Sequence, residues 1–288
     1  DAESGEQSPA FDEKEAQAFF GLLMKQWNHI ALSLMAGQYE PLLMQRTRED
    51  GRAVTILDDW CGRVGRDPSE IERSVLGGPG QIINNADAYV DALAAAGLTA
   101  PSAHARLVGQ DAIRIFTAAR KLGVETVIDP HIDDTRWTTR EDVESIAADL
   151  NGLAKVAADH GLKVGYHNHA FELENRIDGV SALEVLAGSL DDSVLLELDT
   201  YWAAVGGEDV VPLLGRLGDR VQFLHIKDGP LTKDDKEQLA VGAGKMPVDD
   251  ILAAAPAALA VVELDDFTGD VFDAVTDSYT YLNGRNDK

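Results

Sequence analysis

Residues 162–172 read LKVGYHNHAFE, an apolar run that ends in two histidines one residue apart. On a strand alternate residues share a face, so His167 and His169 point one way and Tyr166 and Asn168 the other. Paired imidazoles at a strand end can ligate a metal or move a proton. They can equally be a hydrogen-bonded core histidine beside a surface one. Three later segments carry similar pairs. ELD sets Glu197 and Asp199 on one face, HIK does so for His225 and Lys227, and ELD again for Glu263 and Asp265. Ionisable groups converging from four successive strand ends are costly when unpaired, and a divalent cation would offset the repulsion among the carboxylates. Oxygen donors with one or two imidazoles and no thiolate suit Mn2+, Mg2+, Co2+ or Zn2+.

Each of these residues also has a plainer use. Glu197, one pleat deeper than Asp199, can be an ion pair beneath the site. Asp228 and Asp266 read as turn residues, and Lys227 as a structural counter-ion or a donor to a substrate oxygen. Tyr201 and Trp202, directly after Asp199, suit either the core or the face of a sugar. His104 and His131 close two earlier strands as single histidines, and Trp137 reads as a lid or a packing residue.

Such pairs need strands to aim them. Apolar, strand-like runs at 98–104, 125–130, 162–169, 194–199, 221–228 and 259–266 alternate with helical patterns at 85–97, 111–123, 141–161, 181–189, 210–217, 248–255 and 271–282. Thr138 and Thr139 are candidate caps for the helix at 141–161. Apolar strands that alternate with helices are the pattern of a parallel sheet covered on both faces. Nearer the N-terminus, 30–35 reads as a first strand, 52–64 as a helix and 71–76 as a second strand. Eight such units close into a (β/α)8 TIM barrel at about this chain length, with chemistry at the C-terminal ends of the strands. The rival, a doubly wound open sheet, would carry a glycine-rich phosphate loop after an early strand. GGPGQ at 77–81 has the wrong spacing for one, and GAGK at 242–245 lacks the preceding strand. The expectation is an α/β barrel as one domain over 16–288, its first two βα units atypical, behind a disordered polar tail over 1–15.

The 288 residues are 45% hydrophobic, enough for a sizeable core. Fifty acidic residues against 25 basic ones leave a net charge of −25, which argues against nucleic acid and anionic membrane surfaces as partners. No run approaches the roughly 18 consecutive apolar residues of a membrane span. Cys61 is the only cysteine, which excludes an internal disulfide framework and a thiolate metal cluster. A soluble protein is expected, with the cytoplasm favoured. The absent initiator methionine leaves export with a removed leading segment open. The oligomeric state is also open, a homodimer being one option.

GYHNHAFE, ELDTYW, LHIKD and VVELD, in this order and spacing, resemble the xylose isomerase-like TIM barrel superfamily of sugar phosphate isomerases and epimerases. The likeness runs over about residues 85–288 and includes LAAAGLTAPSAH at 93–104. It implies a metal-dependent enzyme that takes a proton from the carbon next to the carbonyl of a small sugar or polyol. By position it carries over Asp199, His225 and Glu263 as metal ligands. Many relatives add a glutamate before an asparagine, where this chain has His167 and Asn168. Strand register favours His167 in that role. The preference of a hard cation for carboxylate, with Phe171 curling the chain inward, favours Glu172. The expected ligands are therefore Glu172, Asp199, His225 and Glu263. His167, His169, Glu263 and Lys227 are the candidates for the chemistry, and Tyr201, Trp202, His104 and Asn168 for contacts with the substrate.

The missing carboxylate at 167 weakens a symmetric two-carboxylate epimerase and strengthens a histidine base, or a lyase or dehydratase of a keto-sugar. Ala243, where relatives often have an acid, is a further departure. WCGRVGRDPSEIERSV at 60–75 is similar to a stretch of luciferase-like flavin monooxygenases and marks the N-terminal third as unusual. A barrel that binds a sugar without turning it over is the non-catalytic alternative.

Overall fold

The computed structural model describes residues 99–269 and 271–284, together with residue 90 and short segments at 31–32, 45–47 and 53–55. In chain order the strands are β1 (Ala31–Leu32), β2 (Gln45–Thr47), β3 (Ala53–Thr55), β4 (Ser102–His104), β5 (Thr126–Asp129), β6 (Lys163–His167), β7 (Arg176–Ile177), β8 (Val180–Ser181), β9 (Val194–Asp199), β10 (Val221–Ile226) and β11 (Leu259–Val262). Seven of them form one sheet in the order β1-β11-β10-β9-β6-β5-β4, and every pairing in it is parallel. Sequential strands lie side by side and β11 returns to β1, which is the order of a (β/α)8 barrel. The expected strand at 71–76 would stand between β1 and β4 and lies outside the described residues. So do the polar tail, Cys61 and the glycine run at 77–81. Of the helix expected at 85–97 only residue 90 is described, and it is helical.

The helices are α1 (Ala112–Lys121), α2 (Arg140–Asp159), α3 (Phe171–Glu174), α4 (Ala182–Ser189), α5 (Thr200–Val205), α6 (Val210–Leu217), α7 (Val248–Ala254) and α8 (Val271–Gly284). Asp111, Thr139 and Ser181 cap three of them by accepting from the backbone N–H three residues on, which satisfies donors the first turn leaves free. Strand alternation then sorts the side chains. In β9, Leu196 and Leu198 turn out to the helices at 1% exposure, joining Phe116, Ile146, Leu150 and Leu186 in the core. Glu197 and Asp199 turn the opposite way, into the barrel. No helix among the described residues is long and apolar enough to cross a membrane.

Three local expectations are corrected. Residues 53–55, expected to open a helix at 52–64, pair antiparallel with 45–47. Val54 and Thr55 are β-branched and suit an extended ribbon. Residues 176–181 form a hairpin, β7 with β8, that the strand inventory omitted. Asp178 and Gly179 both take positive φ, 54° and 84°, as the tight Asp-Gly turn requires. Finally, β6 ends at His167 and β11 at Val262, so His169, Glu263 and Asp265 sit just past their strands rather than on them.

Candidate active site

The strand ends deliver their side chains to one place. His104 closes β4, His167 closes β6, and Glu197 and Asp199 come from the last turn of β9. His225 is the penultimate residue of β10, with Lys227 directly after that strand. Asp199 is also the N-cap of α5, its Oδ1 accepting from Trp202 N at 2.8 Å. Asn168 fixes the same backbone from the neighbouring strand. Its Oδ1 accepts from Asp199 N at 2.9 Å, and its Nδ2 donates to Asp199 O at 3.2 Å. Thr200 Oγ1 donates to His225 O at 2.8 Å. These bonds leave Asp199 Oδ2 facing the barrel axis.

Two layers follow. In the outer one Asp199 Oδ2 lies 2.9 Å from Lys227 Nζ and 3.9 Å from His225 Nδ1, while Glu263 Oε2 lies 2.5 Å from His225 Nδ1 and 2.9 Å from Lys227 Nζ. Asp265 clamps the same ammonium at 2.7 and 2.8 Å and is itself held by Trp202 Nε1 at 3.0 Å and Gln238 Nε2 at 2.7 Å. In the inner layer Glu197 Oε2 meets His104 Nε2, His167 Nδ1 at 3.2 Å and His225 Nε2 at 3.3 Å. Glu197, Asp199, His225, Lys227 and Glu263 are all buried.

Burial opposes every charge here, and the neighbours decide which charges survive. Burial works against the His225 cation, but the Glu197 and Glu263 carboxylates outweigh it and hold its pKa well above the usual histidine range. Lys227 behaves alike, with Asp199, Glu263 and Asp265 overcoming burial. Glu197 and Glu263 are held well below the usual carboxylate range, burial notwithstanding, by the histidines about them and, for Glu263, by Lys227. Burial wins at Asp199, whose pKa is raised, and at His167, pushed down to about 3 in spite of Glu197.

The outer layer fits a divalent cation. Donor atoms of Asp199, His225 and Glu263 lie within 4.8 Å of one another. Asp199 Oδ2 and His225 Nδ1 are buried and form no aligned hydrogen bond, although Lys227 and Glu263 stand within ionic reach of them. The set of two carboxylates and an imidazole is the donor chemistry of Mn2+, Mg2+, Co2+ and Zn2+. His167 Nε2 points to the same place, 4.0 Å from Asp199 Oδ2.

Glu172 is not brought there. The chain does curl back after His169, through α3, but toward the outer face of β6. Glu172 Oε1 accepts from Tyr166 OH at 2.6 Å and Oε2 from His169 N at 2.8 Å, so both oxygens are engaged away from the cluster. Of the expected substrate contacts, Trp202 borders the cluster with its ring 5.9 Å from Lys227 Nζ, and His104 is bound to Glu197. Tyr201 is fully buried, with its hydroxyl against Thr232, and Asn168 braces backbone. His169 stands at the rim with its ring stacked on Phe171 at 5.5 Å, and Trp137 is core, packed on Tyr166.

Gln238, which the sequence reading passed over, and Asp228, which it read as a turn residue, also serve here. Gln238 holds Asp265 from both ends. Asp228 clasps the loop after β10 by accepting from the N–H groups of Gly229, Gly242, Gly244 and Met246. A Cβ on Gly244 would overlap that carboxylate, which explains the glycine. The turn at Asp228 was legible from the Gly229 that follows it, while Gln238 carried no signal beyond being a polar residue in a loop.

The family model described as the xylose isomerase-like TIM barrel matches residues 82–257. An inosose dehydratase of Mesomycoplasma hyopneumoniae (strain 7448) is 32% identical over 100 residues, 34% of this chain and 32% of that protein. The matched stretch is thus about a third of the curated relative's length. The crystal structure of a sugar phosphate isomerase/epimerase from Parabacteroides distasonis ATCC 8503 superposes with a TM-score of 0.65 at 19% identity, covering 90% of this chain and 95% of that one. The IolI protein with a bound zinc atom superposes with a TM-score of 0.53 at 15% identity, covering 90% and 95%. The parallel sheet with its helices and the family match over more than half of the sequence agree: this chain belongs to the xylose isomerase-like TIM barrel family.

Proposed function

We propose that this chain transfers a proton at the carbon next to the carbonyl of a small sugar or polyol-derived ketone, and so isomerises or epimerises it. The observation that carries this reading is the meeting of Asp199, His225, Glu263 and Lys227 at the ends of three adjacent strands. Asp199, His225 and Glu263 would hold a divalent cation, with His167 rather than Glu172 as the fourth donor. Such a cation, when bound, supplies Lewis acidity that lowers the cost of negative charge on the substrate oxygens. His169 is the base in this reading. It is the half-buried imidazole beside the cluster, its Nδ1 is 3.7 Å from Glu172 Oε1, and its other nitrogen is left to take a proton from carbon and return it. Lys227 donates to the oxygen that gains charge. Trp202, anchored through its indole N–H by Asp265, offers a ring to the apolar face of the sugar. Glu263, engaged by His225 and Lys227, serves as a ligand and not as a base.

Dehydration of a keto-polyol is the second reading, favoured by the imidazole at 167 in place of a second carboxylate and by the name of the curated relative. It begins with the same proton abstraction. The carbon–oxygen bond at the next carbon then breaks, and the hydroxyl leaves as water with the proton that His169 took up. One experiment separates the readings: keto-sugars, aldoses and inososes are incubated in D2O with and without Mn2+, Co2+ or Zn2+ and followed by NMR. Deuterium uptake next to the carbonyl without loss of water supports isomerisation, and loss of water with a new conjugated enone supports dehydration. Asp199→Asn should bring either to background. A purified protein that takes up no divalent cation and exchanges no proton in any of these compounds would sink both.

A further inference from the structure

The inner layer has a role that the ligand set does not use. Glu197 Oε2 stands at the hub of three imidazoles, and two of them also reach the outer layer with their opposite nitrogens. His167 presents Nδ1 to Glu197 at 3.2 Å and Nε2 to Asp199 Oδ2 at 4.0 Å. His225 presents Nε2 to Glu197 at 3.3 Å and Nδ1 to Asp199 Oδ2 at 3.9 Å. The two rings thus run side by side from one carboxylate to the other, with centroids 4.7 Å apart. His104 meets Glu197 from β4, across the barrel.

We infer that Glu197 is a shared positioning residue, one carboxylate that fixes the tautomers and the ring directions of both histidine donors, His167 and His225, for a cation at Asp199 and Glu263. The inference rests on the ligand set proposed above. An imidazole can offer a lone pair to a metal through one nitrogen only if the proton sits on the other, and a carboxylate facing that second nitrogen holds the proton there. Here one oxygen does this for two rings at once, and on opposite nitrogens: Nδ1–H of His167 and Nε2–H of His225 both donate to Glu197. With a cation in place the opposite nitrogens then offer their lone pairs to the outer layer, His225 Nδ1 lying 2.5 Å from Glu263 Oε2 and 3.9 Å from Asp199 Oδ2, and His167 Nε2 4.0 Å from Asp199 Oδ2. The contacts of 3.2 and 3.3 Å are at the long end of hydrogen-bond range, with the oxygen itself at the centre of the nitrogens. His104, His167, Glu197 and His225 also bring donor atoms within 4.8 Å of one another, so the test must separate Glu197 as an acceptor from histidines from Glu197 as a ligand of a second ion.

The test uses the full chain, Zn2+ as the probe and two measurements besides activity. Calorimetric titration should give one Zn2+ per chain, and Glu197→Gln should weaken it by about 10–100-fold while the fold, followed by circular dichroism, is kept. A neutral amide cannot hold two donor protons as the carboxylate does. Long-range 1H–15N spectra of the Zn2+-loaded parent, labelled on histidine, need no variant and so stand even if Glu197→Gln fails to fold. They should show opposite tautomers, His167 carrying its proton on Nδ1 and His225 on Nε2. The same tautomer in both rings, an unchanged Zn2+ affinity in a folded Glu197→Gln, or two Zn2+ per chain with one lost in that variant would each overturn the inference and leave the outer ligand set standing. A parent that binds no Zn2+ overturns both.

Discussion

Lys227 has an ammonium buried among three carboxylates, with Asp199 and Glu263 each 2.9 Å away and Asp265 at 2.7 Å. Removing one partner of a buried ion pair leaves the others unpaired in a medium that cannot solvate them, which costs about 3–5 kcal/mol. Lys227→Met should therefore destabilise the metal-free protein by that order, read as a lowered urea midpoint. A divalent cation at Asp199, His225 and Glu263 restores positive charge at the same place, so added Zn2+ should raise the midpoint more in the variant than in the parent. Equal midpoints without metal would remove Lys227 as the counter-ion of the site. At this scale the sequence was informative where alternation alone places a side chain. Asp199, His225 and Lys227 share faces that the period-2 pattern names, and they meet. Glu172 lies beyond the strand, where that pattern no longer applies, and its place was decided by the turn of α3 and the hydroxyl of Tyr166.

Helix α4 shows how an element's start is secured. Ser181 Oγ accepts from Glu184 N at 3.3 Å and donates to Glu184 Oε2 at 2.8 Å, and Arg216 Nε donates to Glu184 Oε1 at 2.6 Å. Burial alone would raise the carboxyl of Glu184, but Arg216 and Ser181 outweigh it and leave its pKa below the ordinary 4.5. A folded value below the unfolded one means that the stabilisation is complete above about pH 4.5 and is lost as the pH falls through the folded value. Arg216 is 46% exposed, so its share is screened by water. Glu184→Gln should be less stable than the parent by about 0.5–1 kcal/mol at pH 7, and the gap should narrow toward pH 4. Urea midpoints at the two pH values check this, and a gap of constant size would remove the carboxylate as its source. SALE at 181–184 and DG at 178–179 are both sequence signals for these local elements. The helix was read from its apolar pattern, and the hairpin went unread because its strands are two residues each, too short for a period.

For the molecule as a whole the dominant electrostatic fact is 50 acidic residues against 25 basic ones. Exposed pairs such as Arg136–Asp149 and Arg140–Asp178 contribute about 0–1 kcal/mol each and weaken with salt. The excess negative charge repels itself over a Debye length of about 10 Å at 0.1 M salt and about 3 Å at 1 M. Repulsion has the larger number of terms, so the thermal midpoint should rise by several degrees from 0.05 to 1 M KCl. A midpoint that stays flat or falls, followed by circular dichroism, would mean that the surface pairs outweigh the net charge.

Alternating apolar strands and helices from about residue 98 onward determined the parallel sheet, its order and the end of it at which the ionisable side chains gather. The residue pairs at those strand ends determined which side chains face inward. Both are local patterns, and periodicity reports local geometry directly. What the sequence could not decide was which inward side chains touch. His104 and Glu197 are 93 positions apart and meet only because the sheet curls β4 round to face β9. The same closure set Glu197 between His167 and His225 and turned an apparent ion pair into a hub. Alternation names a face, but the partner across a barrel depends on curvature and stagger, which are properties of the assembled sheet.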